Sequence, residues 1–357
     1  MNEKKQSTVK RLLGTRGMGA VITAFVGLII IYVAFGLIDR NVFSGQNVMN
    51  LLRSMSKYLL IGVGQSYLLI TGNIDLSIGS MVGMSAMVSA TLMTMGVHPV
   101  IAMAVALLCC LVCGVINGTL VGKFKLPPFI ATLGTMFAAR GVAYMVNNNR
   151  NTDAIATGIG KEAGDSFQNL FYYGKTFGIY NTFWIALILF LIFFFLLSRT
   201  RTGRHIYAIG SNVEAAKLSG VDVVTTTIKA YLVSATCACV VGLILCAQAG
   251  MGNMEAGNMY EMYGVAAGVI GGISPLGGTG LLLGTFAGAS VWQTLENGLN
   301  MIGAQVGIQR LVIGIIVVFA VLLDVVVRSG SLGKKTSSKT SKQEERYSTA
   351  AISRGSI

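Results

Sequence analysis

The stretch GMGAVITAFVGLIIIYVAFGLI, residues 17–38, is an uncharged apolar run near the start of the chain. A bilayer's hydrocarbon core, about 30 Å thick, is crossed by about 20 residues of helix, so this run can span it. Residues 181–198, NTFWIALILFLIFFFLLS, form a second such run. Because lipid offers the backbone no hydrogen-bond partner, a spanning segment must satisfy its own N–H and C=O groups, which predicts helices.

The composition also indicates a chain embedded in a membrane. Hydrophobic residues make up 53% of 357 positions and charged residues 11%, with a mean hydropathy of +0.68, whereas soluble domains usually carry about 25% charged residues. We therefore predict an all-α polytopic membrane protein with about ten transmembrane helices. The predicted spans are 17–38, 50–71, 76–96, 99–121, 128–146, 180–198, 229–249, 262–275, 277–300 and 308–327.

The basic residues predict the orientation. The net charge is +13, and Lys and Arg concentrate in residues 1–16, 199–228 and 329–357, which marks these segments as cytoplasmic. We expect a basic tail at 1–16, a transmembrane domain at 17–328 and a disordered tail at 329–357. Both termini are then cytoplasmic, 147–179 is the longest external loop, and both tails can bind anionic lipid. This distribution argues against a nucleic-acid partner.

Two features qualify this arrangement. Arg53 and Lys57 precede the second span on the predicted outer side, so we expect a short interfacial segment there. The first apolar run is longer than the hydrophobic region of a signal peptide and ends without a clear small-residue cleavage site. We therefore expect it to be retained as the first span.

The sequence indicates neither a metal site nor an enzyme. Cys110 and Cys113 form a C-x-x-C pair without the further ligands that zinc requires, and His98 and His205 are isolated. We interpret the cysteines as small helix-packing residues and predict no cofactor. We found no convincing Ser/His/Asp or paired-carboxylate constellation, and no G-x-x-x-x-G-K-[ST] phosphate loop.

Two similar stretches predict interrupted helices near 72–77 and 272–278. GNIDLSIGSMVGMS (72–85) and GISPLGGTGLLLGTFAG (272–288) each place a polar, Gly-rich break between apolar segments, as in duplicated transporter halves. A carboxylate at mid-membrane costs about 2.5–3.5 kcal/mol, so Asp75 should face an interior or a cavity. Asp75, with Asn73 and Ser77, lines the translocation pathway or braces the break. The alternative is a helix cap, in which Asp75 or Ser77 accepts from freed N–H groups.

A second polar cluster lies at 248–263, after the seventh span. Its side chains suit either a polyol or a docking protein, and an ordinary solvated loop is the alternative. We assign Gln248, Glu296 and Asn297 to the pathway. The residues assigned to binding-protein docking or an outer gate are Asn253, Glu255, Asn258 and Tyr260.

The loop RTRTGRHIYAIGSNVEAAKLSGVDVV (199–224) predicts a short cytoplasmic helix. Asn212 is a favourable N-cap and Gly220 a favourable stop. The small Ala215–Ala216 face would suit docking into a groove of a partner. We assign partner coupling to Arg204, Asn212, Glu214, Ala215, Ala216 and Gly220.

This loop resembles a known family. Glu214-Ala215-Ala216 followed by Gly220 matches the EAA-x3-G element of ATP-binding-cassette importer permeases. The wider stretch 202–221 resembles the ribose and galactose/methylgalactoside permeases. IDLSIGS (74–80) and GVIGGISPLGGTG (268–280) are similar to two further hallmarks, and the resemblance covers about 45–328. Asn73 departs from the pattern, because these permeases usually have Asp or Gly there.

The resemblance implies a permease dimer in a bacterial cytoplasmic membrane, without an ATPase domain of its own. It implies an ATPase on the cytoplasmic side and a sugar-binding protein on the outer side. An ion-coupled secondary carrier is the alternative, with Asp75, Glu296 and Asp324 as candidate ion-binding acids. Within the importer class, branched-chain amino acids or a signalling sugar derivative are alternative cargoes.

Overall fold

The computed structural model describes residues 17–312, 314, 315 and 318. The described residues from Gly17 to Gln309 form one compact unit, and the described residues 310–312, 314, 315 and 318 beyond it are helical. The predicted tails 1–16 and 329–357, and most of the predicted span 308–327, lie outside the described residues. The helices are α1 Met18–Ile38, α2 Gly45–Ile70, α3 Ile78–Thr94, α4 Pro99–Gly122, α5 Pro128–Met145, α6 Ala156–Ile159, α7 Lys161–Gln168, α8 Asn181–Arg199, α9 Arg201–Ser211, α10 Val213–Leu218, α11 Val223–Ala249, α12 Tyr260–Ile270 and α13 Leu282–Met301.

Among the described residues, four helices are both long and apolar enough to cross a membrane, namely α1, α4, α8 and α11, and α3 is a shorter apolar helix. In the most apolar part of α11, 72% of the residues are buried inside the protein, whereas in that of α1 the share is 17%. Outward apolar side chains such as Ile29, which is 61% exposed, cover the peripheral helices. An apolar surface of this extent indicates contact with lipid rather than water.

The centre of the molecule is built around α11, which packs closely against α2, α3 and α4 through small residues. A Cβ on Gly64 of α2 would lie 3.0 Å from Ser234 Cα of α11. A Cβ on Gly118 of α4 would lie 2.5 Å from Ile228 Cα. Small residues allow helix backbones to approach closely where lipid supplies little hydrophobic driving force.

We expect Gly118→Leu to lower the thermal stability of the detergent-solubilised protein by several degrees, because α4 must move away from α11. Overpacking a well-packed core costs about 1–3 kcal/mol. Gly134→Leu is the matched control, since nothing lies within 4 Å of a Cβ at this position in α5. Thermal unfolding followed by size-exclusion chromatography measures both, and equal melting temperatures would contradict the prediction.

The predicted start of the second span and the interfacial segment expected before it both need correction. A 3-10 turn at Arg40–Phe43 precedes α2, which begins at Gly45 rather than residue 50 and is capped by Ser44, whose side chain accepts a bond from Asn47 N. Arg53 and Lys57 thus lie inside α2, not in an interfacial segment. Their charges face protein partners, since Arg53 lies 4.5 Å from the Tyr172 ring centroid and 4.1 Å from that of Tyr180.

The segment 147–179, predicted to be an external loop, is folded rather than irregular. It contains α6, α7, a π-helical turn at Asn169–Tyr173 and an antiparallel pair, β1 Lys175–Thr176 with β2 Ile179–Tyr180. Backbone bonds attach it to the residues after α11, because Thr152 N donates to Gly252 O and Ile155 N donates to Gly250 O. These contacts order a segment whose composition alone indicated solvated polar chain.

The second predicted interruption is longer than expected. α12 ends at Ile270 and α13 begins at Leu282, so the predicted spans 262–275 and 277–300 are both shorter and the break covers 271–281. Gly272, Gly277, Gly278 and Gly280 in this break have φ of 85°, 87°, 70° and 132°. Side-chain-bearing residues rarely adopt these angles, so the glycines end the helix. The first interruption, between Ile70 and Ile78, lies where it was predicted.

Candidate functional site

The first break is organised by Asp75, which is 0% exposed. Its Oδ1 accepts hydrogen bonds from Ser77 N (2.8 Å) and Ser77 Oγ (2.5 Å), and its Oδ2 accepts from Ser234 Oγ (2.8 Å). The carboxyl group thus holds the start of α3 and joins it to α11. Both carboxylate oxygens are therefore bonded within the protein, as a brace of the break requires.

Further side chains complete this polar core. Asn117 Nδ2 donates to Ser77 Oγ (2.9 Å), while Thr135 Oγ1 donates to Asn117 Oδ1 (2.6 Å). Gln65 Nε2 donates to Asp75 O (2.5 Å), and Tyr231 Oη donates to Ile74 O (3.1 Å). Five helices therefore meet at the break. Such networks are costly to disturb, because each buried polar group that loses its partner is destabilising.

The remaining residue of this group, Asn73, lies nearer the surface. It is half-buried, and its Nδ2 donates to Thr71 Oγ1 at 2.8 Å. The structure thus separates Asn73 from the buried Asp75–Ser77 pair. Of the three predicted pathway residues at this break, it is the one with solvent exposure.

The helix α9 touches both breaks. Gly278 N in the second break donates to Ile70 O at the end of α2 (2.8 Å), and Tyr207 Oη of α9 donates to Gly280 O (2.8 Å). A Cβ on Gly210 of α9 would collide with Ile70 O and lie 2.5 Å from Gly278 N. We call these five residues, Ile70, Tyr207, Gly210, Gly278 and Gly280, the three-way junction. The sequence did not reveal α9, because RTRTGRHIYAIGS has the charge density of a loop.

The predicted short helix follows directly as α10. Asn212 Oδ1 accepts from Ala215 N (2.9 Å), and Gly220, with φ +81°, ends the segment as predicted. Ala216 is only 4% exposed, so the predicted Ala215–Ala216 docking face needs correction. The exposed surface consists of Val213, Glu214, Ala215, Lys217 and Leu218, the last 90% exposed, with Arg204 exposed on α9.

Asp222 begins the helix that returns to the membrane. Its side chain accepts from Thr225 N (3.0 Å) and Thr225 Oγ1 (2.6 Å). These bonds stabilise the carboxylate and lower the pKa of Asp222 below its usual value. The cap places the start of α11 at Val223, six residues before the predicted span at 229.

The second polar cluster surrounds a cavity of 450 Å³. Gln248, Asn253, Glu255, Asn258 and Tyr260 line it together, as their clustering in sequence indicated. Lys57 joins them from α2, and its Nζ donates to Gln248 Oε1 at 3.4 Å. This contact could not be predicted from the sequence, because 191 positions separate Lys57 from Gln248. The remaining lining residues are Ala86, Leu245, Ala249, Ala256 and Gly257.

The segment between α11 and α12 runs along α3. A Cβ on Gly252 would lie 2.8 Å from Ala90 Cβ, whereas one on Gly257 would collide with Gly79 O. Positions 79 and 90 are about 16 Å apart along a helix, so the segment descends beside most of α3. Arg140 of α5 holds it through Nη1, which donates to Met254 O (2.7 Å) and Ala256 O (3.0 Å).

Glu296 and Asn297 have different surroundings. Glu296 Oε2 accepts from Tyr58 Oη (2.8 Å), and Tyr58 packs near Tyr260 of the cavity wall, with ring centroids 5.9 Å apart. Asn297 instead forms a reciprocal amide pair with Asn47, at 3.0 and 3.1 Å. Glu296 therefore adjoins the cavity, whereas Asn297 joins α13 to α2.

Among the described residues, no group of three or more His, Cys, Asp or Glu could hold a metal ion. The six cysteines are free, and four of them are buried. Cys110 Sγ lies 3.6 Å from Met81 O, between α4 and α3. The thiols thus occupy helix-packing positions.

The chain matches known proteins over most of its length. Residues 47–321 match the family described as branched-chain amino acid transport system / permease component. The ribose import permease protein of Bacillus subtilis is 34% identical over 91% of this chain and 98% of its own length. The ribose import permease protein of Escherichia coli K12 is 33% identical (84% and 92%), and the D-allose transport system permease protein of the same strain is 34% identical (84% and 90%).

No solved structure matches the chain with significance. The family match and the relatives cover the breaks, the cavity and the helices α9 and α10 together. The resemblance to importer permeases that the motifs indicated is thereby confirmed. The chain belongs to the branched-chain amino acid transport system / permease component family.

Proposed function

We propose that this chain is the membrane-spanning subunit of an ATP-driven importer for a monosaccharide. The similar permeases named for ribose and D-allose support the cargo class. The observation that carries the mechanism is the contact of α9 with both breaks, directly before the exposed helix α10. A displacement of α10 can thereby be transmitted through α9 to both breaks without an intervening flexible linker.

The proposed assembly has partners on both sides of a bacterial cytoplasmic membrane. A separate ATPase binds the exposed surface of α10, and a second permease copy completes the pathway. A binding protein delivers the sugar to the outer side, near Asn253, Glu255, Asn258 and Tyr260. The proposed topology has ten spans, both termini in the cytoplasm and lipid around the apolar faces of α1, α4 and α8.

Alternating access follows from this arrangement. ATP binding closes the ATPase pair and moves α10 together with α9. Because α9 bonds to the second break and packs on the end of α2, its movement displaces the two breaks relative to each other. The pathway beside Gln248 and Glu296 then opens to the opposite side. The permease itself carries out no chemical step.

The test is reconstitution of the chain in lipid vesicles together with an importer ATPase and a sugar-binding protein from the same organism. We expect labelled D-ribose or D-allose to accumulate only with ATP and with both partners. Uptake by the chain alone that collapses with an uncoupler would establish the ion-coupled carrier instead.

The end of α10 offers a sharper test of coupling. Gly220→Pro should lower ATP-dependent uptake at least about tenfold, because proline fixes φ near −65° and cannot adopt +81°. Gly220→Asn is the matched control, since asparagine tolerates the left-handed conformation. Glu214→Lys should have the same effect by reversing a charge on the exposed surface. Membrane insertion should be unchanged, and normal uptake by both Gly220→Pro and Glu214→Lys would exclude the coupling role.

A further inference from the structure

The cavity beside Lys57 has unsatisfied bonding capacity inside the protein. A lysine ammonium carries three N–H donors and no acceptor. Within the described part of the chain, the hydrogen bond of Lys57 is the long one to Gln248 Oε1 at 3.4 Å. Two donors of a half-buried cation are thus left for whatever fills the cavity. A solute in the cavity can accept hydrogen bonds from these donors.

The size of the cavity suits a small molecule. Its 450 Å³ falls within the range of about 300–1,000 Å³ that is typical of ligand sites. Its walls combine apolar side chains, such as Leu245 and Ala86, with a few polar groups that converge on one space. This composition differs from that of an ordinary solvated loop.

The charges of the wall favour a neutral ligand. Lys57 lines the cavity with one positive charge and Glu255 with one negative charge. The further charges that act on Lys57, Arg53 and Glu296, are again one of each sign, so the charges around the cavity balance. Tyr144 Oη already donates to Glu255 Oε1 (2.6 Å). The remaining polar groups are the amides of Gln248, Asn253 and Asn258 and the phenol of Tyr260. Amides and hydroxyls each offer donors and acceptors, which matches a molecule made of hydroxyl groups.

One wall of the cavity is aromatic. Tyr260 lines it and packs against Tyr58 (5.9 Å) and Tyr263 (5.7 Å), and Tyr263 packs against Trp292 (5.0 Å). Rigid aromatic rings provide a flat apolar surface at low entropic cost, and the Tyr260 phenol adds a polar group. A sugar ring presents both apolar C–H faces and hydroxyl edges, so it can use both kinds of surface.

We propose that this cavity is a solute subsite of the permease itself, in which Lys57, Gln248, Asn258 and Tyr260 hold a neutral polyhydroxylated molecule of monosaccharide size. The inference rests on the proposed function and adds a step in which the solute binds within the permease. Solute released by a binding protein would occupy the cavity before the breaks rearrange. Selectivity would then be exerted twice, once by the binding protein and once by this chain.

The test measures solute binding by the purified permease in lipid nanodiscs, without ATPase or binding protein. Equilibrium dialysis with labelled D-ribose and D-allose is expected to show saturable binding. Lys57→Met should weaken it about tenfold or more, because hydrogen bonds to a charged group are lost. Asn258→Ala removes an exposed amide without disturbing the core and should weaken it several-fold. Lys161→Met, at an exposed external lysine, is the matched control and should bind like the parent.

A fluorescence experiment locates the bound solute. The chain has two tryptophans, so Trp184→Phe leaves Trp292 as the single reporter beside the aromatic wall. The saturating solute should change Trp292 emission over the same concentration range as in dialysis. An unchanged Trp292 emission during saturable binding would place the solute elsewhere and overturn the proposal.

Two further outcomes would also overturn it. One is the absence of saturable binding of both sugars, or equal binding by the parent and Lys57→Met. The other is tighter binding of D-ribose 5-phosphate than of D-ribose, which would exclude the neutral class. Uptake in the reconstituted importer is measured separately, so uptake without binding would remove the subsite while leaving the proposed function intact.

Discussion

Replacing Gly210 by leucine is expected to abolish ATP-dependent uptake by the reconstituted importer. A Cβ at this position collides with Ile70 O and lies 2.5 Å from Gly278 N, so any side chain forces α9 away from both breaks. The bond from Gly278 N to Ile70 O and the bond from Tyr207 Oη to Gly280 O would both be strained or lost. Motion of α10 would then no longer reach the pathway.

The readout must separate lost coupling from lost folding. The exposed surface of α10 is unchanged in Gly210→Leu, so the ATPase should still co-purify with the permease. Gly141→Leu in α5 is the matched control, because nothing lies within 4 Å of a Cβ there. Gly210→Ala should already impair uptake, since the collision involves the Cβ atom itself. Uptake at the parental rate in Gly210→Leu would remove the three-way junction from the mechanism.

The apolar helices could be predicted well because lipid leaves a clear signal in composition. The predicted spans 99–121, 128–146 and 180–198 agree within one residue at each end with α4, α5 and α8. The boundary of α2 was missed because Arg53 and Lys57 have the appearance of surface residues. The rings of Tyr172 and Tyr180 beside Arg53 and the amide of Gln248 beside Lys57 are distant in sequence, so these contacts could not be foreseen.

In the candidate site, too, local features could be predicted from the sequence and contacts between distant residues could not. The cap at Asn212 and the stop at Gly220 are local, since each depends on neighbours within a few positions, and both were predicted. The bond from Ser234 to Asp75 spans 159 positions, and the bond from Lys57 to Gln248 spans 191. Contacts of this kind depend on how helices pack. The motif at 74–80 therefore singled out Asp75 as an important residue, but it did not predict which groups its carboxylate bonds.

Asp75→Asn is expected to retain uptake within a few-fold of the parent, whereas Asp75→Leu should yield little folded protein. An asparagine oxygen can accept from Ser77 N and Ser77 Oγ, and its amide group can donate to Ser234 Oγ, so the brace survives. Leucine leaves these three buried partners without the acceptor they bond now. Each buried polar group left unsatisfied costs about 1–3 kcal/mol. Protein yield and melting temperature measure folding, and vesicle uptake measures transport.

The same pair of variants distinguishes the importer from the ion-coupled carrier. A carrier that uses Asp75 to bind its coupling ion needs a titratable carboxyl group, so asparagine would fold normally but abolish uptake. A brace needs only the acceptor geometry, and the burial of Asp75 beneath Ser77 and Ser234 favours that role. Ser234→Ala provides an independent check, because it removes one bond of the brace without touching the carboxyl group. We expect it to lower the melting temperature while uptake continues to depend on ATP.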